Sequence, residues 1–379
     1  MRKLIALLLA ITMLATLSIP AFAEDKPILI GLSAKLTGSE AANGKRMANA
    51  AQMAVDEVNA AGGLLGRKVE LNIQDDAGDS TQALNVANLL ISSGVNVTVG
   101  PWNSGSVLSV EGVYRDAGIP FFGLGTNPKL LALNNPYAFL GRANDKIMAA
   151  SAAKMIIDEL GVKSVGILYG NNEFGTGAME IISSKCTDAG LKVVAEAIGV
   201  GDTDATGQVL SLKNAGVECM VVWANDAEYV LAAQQSYDLG LSKGIPVVAS
   251  PAVTMDQVRE LCEPEWIEGW YAVTDFINTN PDEKNQAFCK KYLELYGQPA
   301  ELYVSGVYGV FQMIFNAINT AGSSEPQAIR DALAATKDFL VPNGIATCDQ
   351  FNEMIHSVAI AQIVNYAPAQ VKAISVELD

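Results

Sequence analysis

The stretch "VNVTVGPWNSGSVLSVEGVYRDAGIPFFGL", residues 95–124, holds one complete structural unit. Residues 95–100 form an apolar run of strand length that stops at Gly100-Pro101. Small polar residues follow, and then a helix-period segment from Ser104 to Ala117. That segment closes on the glycine stop "DAG" at 116–118, and a second apolar run takes over at 119–124. A strand that feeds a helix and returns to a strand is a parallel βαβ unit. The helix start near Ser104 leaves backbone N–H groups without intrahelical partners, and such an end attracts an anion.

The same unit recurs on both sides. Strand-length runs lie at 28–34 and 69–74, with helical segments from Gly44 to Ala60 and from Ser80 to Ser93. Glycine stops recur at 60–63, 188–190, 214–216 and 238–240, where the left-handed backbone that ends a helix is most easily adopted. The rhythm pauses at "NNPYAFLGRANDK" (134–146) and restarts with strands at 164–170, 193–200, 219–224 and 245–250. Helices of the second set are expected near 146–160, 175–189, 206–215 and 226–239. After "WYAVTDFI" (270–277) the pattern turns helical through 281–296, 302–321 and 325–335, and a last apolar run, "SVAIAQIV", occupies 357–364. The fold class that follows is α/β, with two doubly wound parallel-sheet lobes.

A chain of 379 residues has room for two such cores. Half its residues are hydrophobic and 17% are charged, a globular composition. The formal net charge of −16 argues against nucleic acid as a partner and against a polybasic membrane patch. Residues 1–23 have the plan of a secretory signal peptide: Arg2 and Lys3, an apolar run from Leu4 to Leu17, and "AFA" before Glu24. That run is short for a membrane span, which disfavours an anchor. Removal of Arg2 and Lys3 takes the net charge from −16 to −18. No cysteine near the cleavage site offers a lipid anchor, so a soluble periplasmic protein is expected.

Enzyme chemistry finds little support. "GSEAANGKR" (38–46) has neither the spacing nor the hydroxyl residue of a P-loop, and "GLGTNP" (123–128) lacks the third glycine of a dinucleotide fingerprint. The GxSxG match "GLSKG" (240–244) follows a helical segment and leads into a strand-length run, the reverse of the strand–turn–helix context that a nucleophile elbow requires. His356 is the sole histidine, and the five cysteines, Cys186, Cys219, Cys262, Cys289 and Cys348, have no CxxC or zinc spacing. They read as mostly buried free thiols. No catalytic residue, metal or cofactor is predicted. Short polar clusters do stand at the C-terminal ends of the strands: "WNSGS" (102–106), "LGTNP" (124–128), "GNNEFGTG" (170–177), "ANDAE" (224–228) and "ASPAVT" (249–254). One such cluster is ordinary loop chemistry, with Ser, Asn and Asp capping helices. Five on two successive lobes, interleaved with Trp102, Phe174 and Trp223, point to a cleft at the edge where open α/β sheets bind ligands.

These residues resemble the branched-chain amino acid (Leu/Ile/Val) binding proteins of ABC importers, the periplasmic binding proteins of type I. "GLSAKLTGSEAANGKRMANAAQMAVDEVNAAGGLLGRKVEL" (31–71) is similar to the family's opening strand, loop and helix, and "DDAGDSTQALNVANLLISSGVNVTVGP" (75–101) to its next unit. The resemblance implies two lobes joined by three crossovers near 141–145, 272–276 and 342–347, with a cleft that closes on a small solute. It implies an N-terminal lobe of 24–142 and 275–344 and a C-terminal lobe of 143–274 and 345–379. It places Ser104 and Thr126 on a ligand carboxylate, helped by backbone groups at Leu124. Phe174, Asn225, Tyr303 and Asn43 fall at further family positions, and Gly125 and Trp102 complete the expected contact set.

One departure from the family bears on the ligand. Pro251 stands where a Glu receives the ligand ammonium, which leaves Asp226 or Glu228 as the acceptor, or a ligand without an α-amino group. Asn103 stands where one cysteine of a family disulfide would be. The implied protein is a monomeric receptor with no catalysis that delivers an aliphatic amino acid to membrane permease subunits. The alternatives are a receptor for an aromatic or aliphatic carboxylate or an amide, a ligand-sensing subunit of a signalling receptor, and an exported enzyme.

Overall fold

Alternating strands and helices build two parallel sheets in the computed structural model, which describes residues 26–375. The signal-peptide reading of 1–23 lies outside the described residues. The first sheet contains β1 (Ile28–Ala34), β2 (Val69–Asp75), β3 (Val97–Val99), β4 (Phe121–Gly123) and β5 (Ala138–Leu140), in the order β2-β1-β3-β4-β5, all parallel. Its helices are α1 (Ala41–Ala60), α2 (Ser80–Ser92) and α3 (Ser104–Ala117). Ile28, Ile30 and Leu32 pack with Met47, Ala50 and Ala54 of α1, while Leu29 packs with the α2–α3 layer around Val86, Leu90 and Val110. A strand buried on both faces reads as a continuous apolar run, which is why 28–34 carries no polar alternation. α3 ends where Gly118 takes φ 65°, a left-handed turn open to glycine at no steric cost.

The second sheet holds β6 (Ser164–Gly170), β7 (Lys192–Ile198), β8 (Cys219–Trp223), β9 (Val247–Ala249) and β10 (Tyr271–Thr274). Helices α4 (Asp145–Glu159), α5 (Glu173–Asp188), α6 (Thr206–Asn214), α7 (Asp226–Asp238), α8 (Asp256–Arg259) and α9 (Pro264–Ile267) connect them. The chain then returns toward the first sheet with α10 (Glu283–Tyr296), α11 (Leu302–Ala321) and α12 (Pro326–Ala334), and α11 lies on α1 and β3. A hairpin follows, β11 (Phe339–Val341) and β12 (Gly344–Ala346). Finally β13 (Ser357–Val364) and β14 (Ala367–Ser375) extend the second sheet antiparallel, in the order β14-β13-β10-β9-β8-β6-β7.

Two lobes therefore share three crossovers, at 141–144, 275–282 and 347–356. The third comes later than the expected 342–347, because the hairpin at 339–346 occupies that stretch. The crossovers are tied to one another. Arg142 of the first forks onto Asp275 of the second, and Glu353 of the third accepts the backbone N–H of Asn144 at 2.6 Å. All five cysteines are free thiols, three of them buried and Cys289 and Cys348 half-buried. Among the described residues, no helix is long and apolar enough to cross a membrane.

Candidate functional site

The C-terminal ends of both sheets face a cleft of about 620 Å³. On the first-lobe side, β3 delivers the chain to α3 through Trp102 and Asn103. Asn103 precedes the first helical residue without capping it. Its side chain is used elsewhere, donating to the Gly78 carbonyl at 3.1 Å and accepting from Lys35 Nζ at 3.3 Å. The first-turn N–H groups of Ser104, Gly105 and Ser106, three residues that line the cleft, form an uncapped helix start.

Ser104 Oγ accepts from the N–H groups of Thr126 and Asn127, at 3.1 and 3.2 Å, which leaves its own proton to donate. Gly125 packs so closely on this turn that a Cβ there would lie 2.7 Å from Ser104 Cα. The Thr126 hydroxyl donates to Asp145 Oδ2 at 3.0 Å. Burial raises the Asp145 carboxyl well above the usual range, against the opposing pull of that hydrogen bond and of Arg142.

An aromatic wall continues the surface. The Trp102 and Tyr303 rings stack with centroids 4.0 Å apart, and Lys35 Nζ donates to Tyr303 Oη at 3.0 Å while pairing with Glu40 at 2.8 Å. Across the cleft, Phe174 packs on the buried Trp223 at 6.2 Å.

Acceptors gather on the second-lobe side. α7 begins in the cleft, and its N-terminal residue Asn225 makes no side-chain cap. Asp226 Oδ2 accepts from Asn43 Nδ2 at 2.8 Å and from Gln257 Nε2 at 3.2 Å. Burial raises the Asp226 carboxyl, the Glu40 charge adds to this, and Lys35 opposes it. Glu228 turns away to the Gly201 N–H at 3.4 Å and to its own backbone N–H, and burial raises its carboxyl too. Pro251 lines the cleft at the start of a 3₁₀ turn and offers no side-chain acceptor.

Eight of the ten expected contact residues thus line one cleft: Trp102, Ser104, Gly125, Thr126, Phe174, Asn225, Asp226 and Tyr303. Two stand behind it. Leu124 is fully buried and presents its carbonyl to Arg142. Asn43 is 1% exposed and backs Asp226, with its Oδ1 lacking a partner. Glu40, Arg142 and Asn172 are among the lining residues that the sequence reading did not name as contacts. Asn172 Oδ1 caps α5 through the Gly175 N–H at 3.0 Å, and its buried Nδ2 has no partner. It belongs to the "GNNEFGTG" cluster, so a signal existed, whereas Arg142 sits where the strand–helix rhythm pauses.

The lobes touch on both sides of the cleft. Asn43 reaches Asp226, Arg46 Nη1 donates to Gln257 Oε1 at 2.6 Å, and Glu301 Oε1 accepts the Asp256 N–H at 2.6 Å. Opposite them, Lys129 pairs with Glu173 at 3.0 Å and the Asn127 amide donates to the Glu173 carbonyl.

Known proteins share this arrangement of chain. A family described as periplasmic binding protein matches residues 27–368. The Leu/Ile/Val-binding protein BraC3 of Rhizobium johnstonii is 30% identical over 358 residues, covering 91% of this chain and 94% of that one. The branched-chain amino acid transporter substrate binding protein of Streptococcus pneumoniae, solved in complex with isoleucine, superposes with a TM-score of 0.83 at 25% identity, covering 93% of this chain and 99% of its own. A solute binding protein of an ABC transporter from Rhodopseudomonas palustris, solved with 3,4-dihydroxybenzoic acid, has a TM-score of 0.82 at 20% identity, with 93% and 98% coverage, a likeness of fold.

Proposed function

The chain belongs to the periplasmic binding protein family, and we propose that it is the extracytoplasmic receptor of an ABC importer for an aliphatic α-amino acid. One observation carries this reading. The uncapped start of α3, with the Ser104 hydroxyl whose proton is uncommitted, shares one cleft with the Asp226 carboxylate. Donors on one side and an acid on the other suit the two charges of a zwitterion, and the Trp102, Tyr303 and Phe174 rings suit an apolar side chain. Binding between the lobes would exclude water and strengthen each of these bonds. The reading involves no catalysis, a monomer in solution, and delivery to permease subunits in the membrane.

A second reading keeps the fold and removes the amine. Pro251 in place of a side-chain acceptor and the dihydroxybenzoate bound by the Rhodopseudomonas protein both favour it. Asp226 weighs against it: Glu40 and Glu173 are paired with Lys35 and Lys129 and Glu228 is held by backbone N–H groups, whereas Asp226 lines the cleft with no cation bonded to it among the described residues.

A thermal-shift series separates the two. L-leucine, L-isoleucine and L-valine are expected to raise the unfolding midpoint, because a ligand at a hundred times its Kd adds about 2.7 kcal/mol to the folded state. The deaminated acid 4-methylpentanoate and 3,4-dihydroxybenzoate should leave the midpoint unchanged. The reverse pattern replaces the amino acid reading with the carboxylate one.

Within the amino acid reading, Ser104→Ala removes the hydroxyl aimed at the ligand carboxylate, a bond to a charged group worth about 1.5–3 kcal/mol. L-leucine affinity is expected to fall about tenfold or more by calorimetry. Unchanged affinity would mean that the carboxylate lies elsewhere.

A further inference from the structure

Hinge and cleft share one side chain. Arg142 sits in the first crossover, 5% exposed, and lines the cleft. Its Nε and Nη2 donate to the two oxygens of Asp275 in the second crossover, each at 3.0 Å. Its Nη1 donates to the Leu124 carbonyl at 3.4 Å, on the loop that carries Gly125 and Thr126. Its guanidinium lies 4.6 Å from the centroid of the Trp102 ring, which stacks in turn on Tyr303. Gly306 of α11 leaves space for this stack, since a Cβ there would already lie 3.4 Å from the indole.

We propose that Arg142 is a positioning residue that couples the angle between the lobes to the shape of the ligand cleft. The proposal rests on the binding-protein reading above. A guanidinium is a rigid plane that uses its edge for forked hydrogen bonds and its face for stacking. Here the edge holds the second crossover and the ligand loop, and the face holds the aromatic wall. A rotation of the lobes that moves Asp275 must tear the fork or swing the plane against Trp102. A wall pushed by a ligand transmits the same displacement in reverse. A lysine keeps the charge and can do neither, because its ammonium has no plane.

The test compares Arg142→Lys, Asp275→Asn and the double variant with the wild type. L-leucine is the calorimetric probe, and scattering is measured on ligand-free protein. Each single variant is expected to weaken L-leucine at least tenfold, and the double variant to be no worse than the weaker single, because both break one unit. Singles within twofold of the wild type, or losses that add in the double, overturn the proposal. A merely structural pair would lower the unfolding midpoint while leaving affinity and radius of gyration as they were.

If the wild type takes up no L-leucine, the amino acid reading has failed and the coupling is decided without ligand. Both singles must then shift the ligand-free radius of gyration in the same direction, and unchanged scattering overturns the proposal. Should the hinge variants fail to fold, Trp102→Leu leaves the ion pair in place and must itself shift the ligand-free radius. If it leaves that radius at the wild-type value, wall and hinge are uncoupled.

Discussion

Replacing Asp226 by asparagine is expected to weaken L-leucine binding by about a hundredfold, roughly 3 kcal/mol, as when one partner of a buried charge pair is removed. Glu228→Gln should cost little. Both acids stand in the first turn of α7, where the helix dipole favours them, and sequence alone leaves them equivalent. The structure separates them. Glu228 is spent on backbone N–H groups, its own among them. Asp226 accepts both side-chain amides, from Asn43 and Gln257, on Oδ2, which leaves Oδ1 for a ligand.

A pH dependence follows from the same carboxyl. Burial and the Glu40 charge raise it, Lys35 lowers it, and the acids Glu228 and Glu301 stand near the same cluster. A ligand ammonium favours the ionised form, so binding expels a proton wherever Asp226 is still protonated. Affinity should therefore rise with pH up to the titration of the free carboxyl and stay level above it, and Asp226→Asn should remove that slope. Calorimetry in two buffers of different ionisation enthalpy reads the released proton directly. Wild-type affinity and slope in the variant would leave the ammonium without this partner.

The sequence reveals the strands that are long and apolar. The run 28–34 coincides with β1, 164–170 with β6 and 357–364 with β13. It conceals β5, β11 and β12, three residues each with no longer apolar run around them; β3, β4 and β9 are as short but sit inside the apolar runs at 95–100, 119–124 and 245–250. β14 begins Ala-Pro and runs along a sheet edge, a pattern that reads as loop.

The cleft follows the same logic. Polar clusters at strand ends are visible because the end of a strand is a local property. Asn43 meets Asp226 across 183 positions and Lys35 meets Tyr303 across 268, and no local signal records such a meeting. The missing family Glu at Pro251 was legible as a departure. Its consequence, an acid at the first residue of another helix backed by a buried amide, required the lobes to be in place.

At the third crossover, Glu353→Gln is expected to stabilise the protein at pH 8 and to change little at pH 4.5. Glu353 is 3% exposed. Burial pushes its carboxyl up to about 8, Asp349 adds to this, and the hydrogen bond from Asn144 N–H opposes it. The unfolded chain releases the same proton near 4.5, the ordinary value. Between those two values the native state holds a proton that the unfolded state has lost, so stability falls as pH rises through the window. The contribution is complete below about 4.5 and gone above about 8, and its size is on the order of 4 kcal/mol.

A glutamine keeps the acceptor for Asn144 N–H and has nothing to ionise, so its unfolding midpoint should exceed that of the wild type by several degrees at pH 8. Glu301, raised by burial to about 7 against the pull of Arg46, and Asp145 carry the same sign, so the variant should flatten the pH profile without levelling it. The Asn144 N–H and the more distant Lys146 charge favour ionisation of Glu353, and burial together with Asp349 outweighs them. Asp349 accepts the N–H groups of Phe351 and Glu353, and His356 Nε2 lies 3.0 Å from the Thr347 carbonyl. The only guanidinium at the crossovers, Arg142, is already forked onto Asp275. Parallel midpoint curves for wild type and variant from pH 4.5 to 8 would mean that the carboxyl is ionised throughout, with Lys146 and the Asn144 N–H outweighing burial.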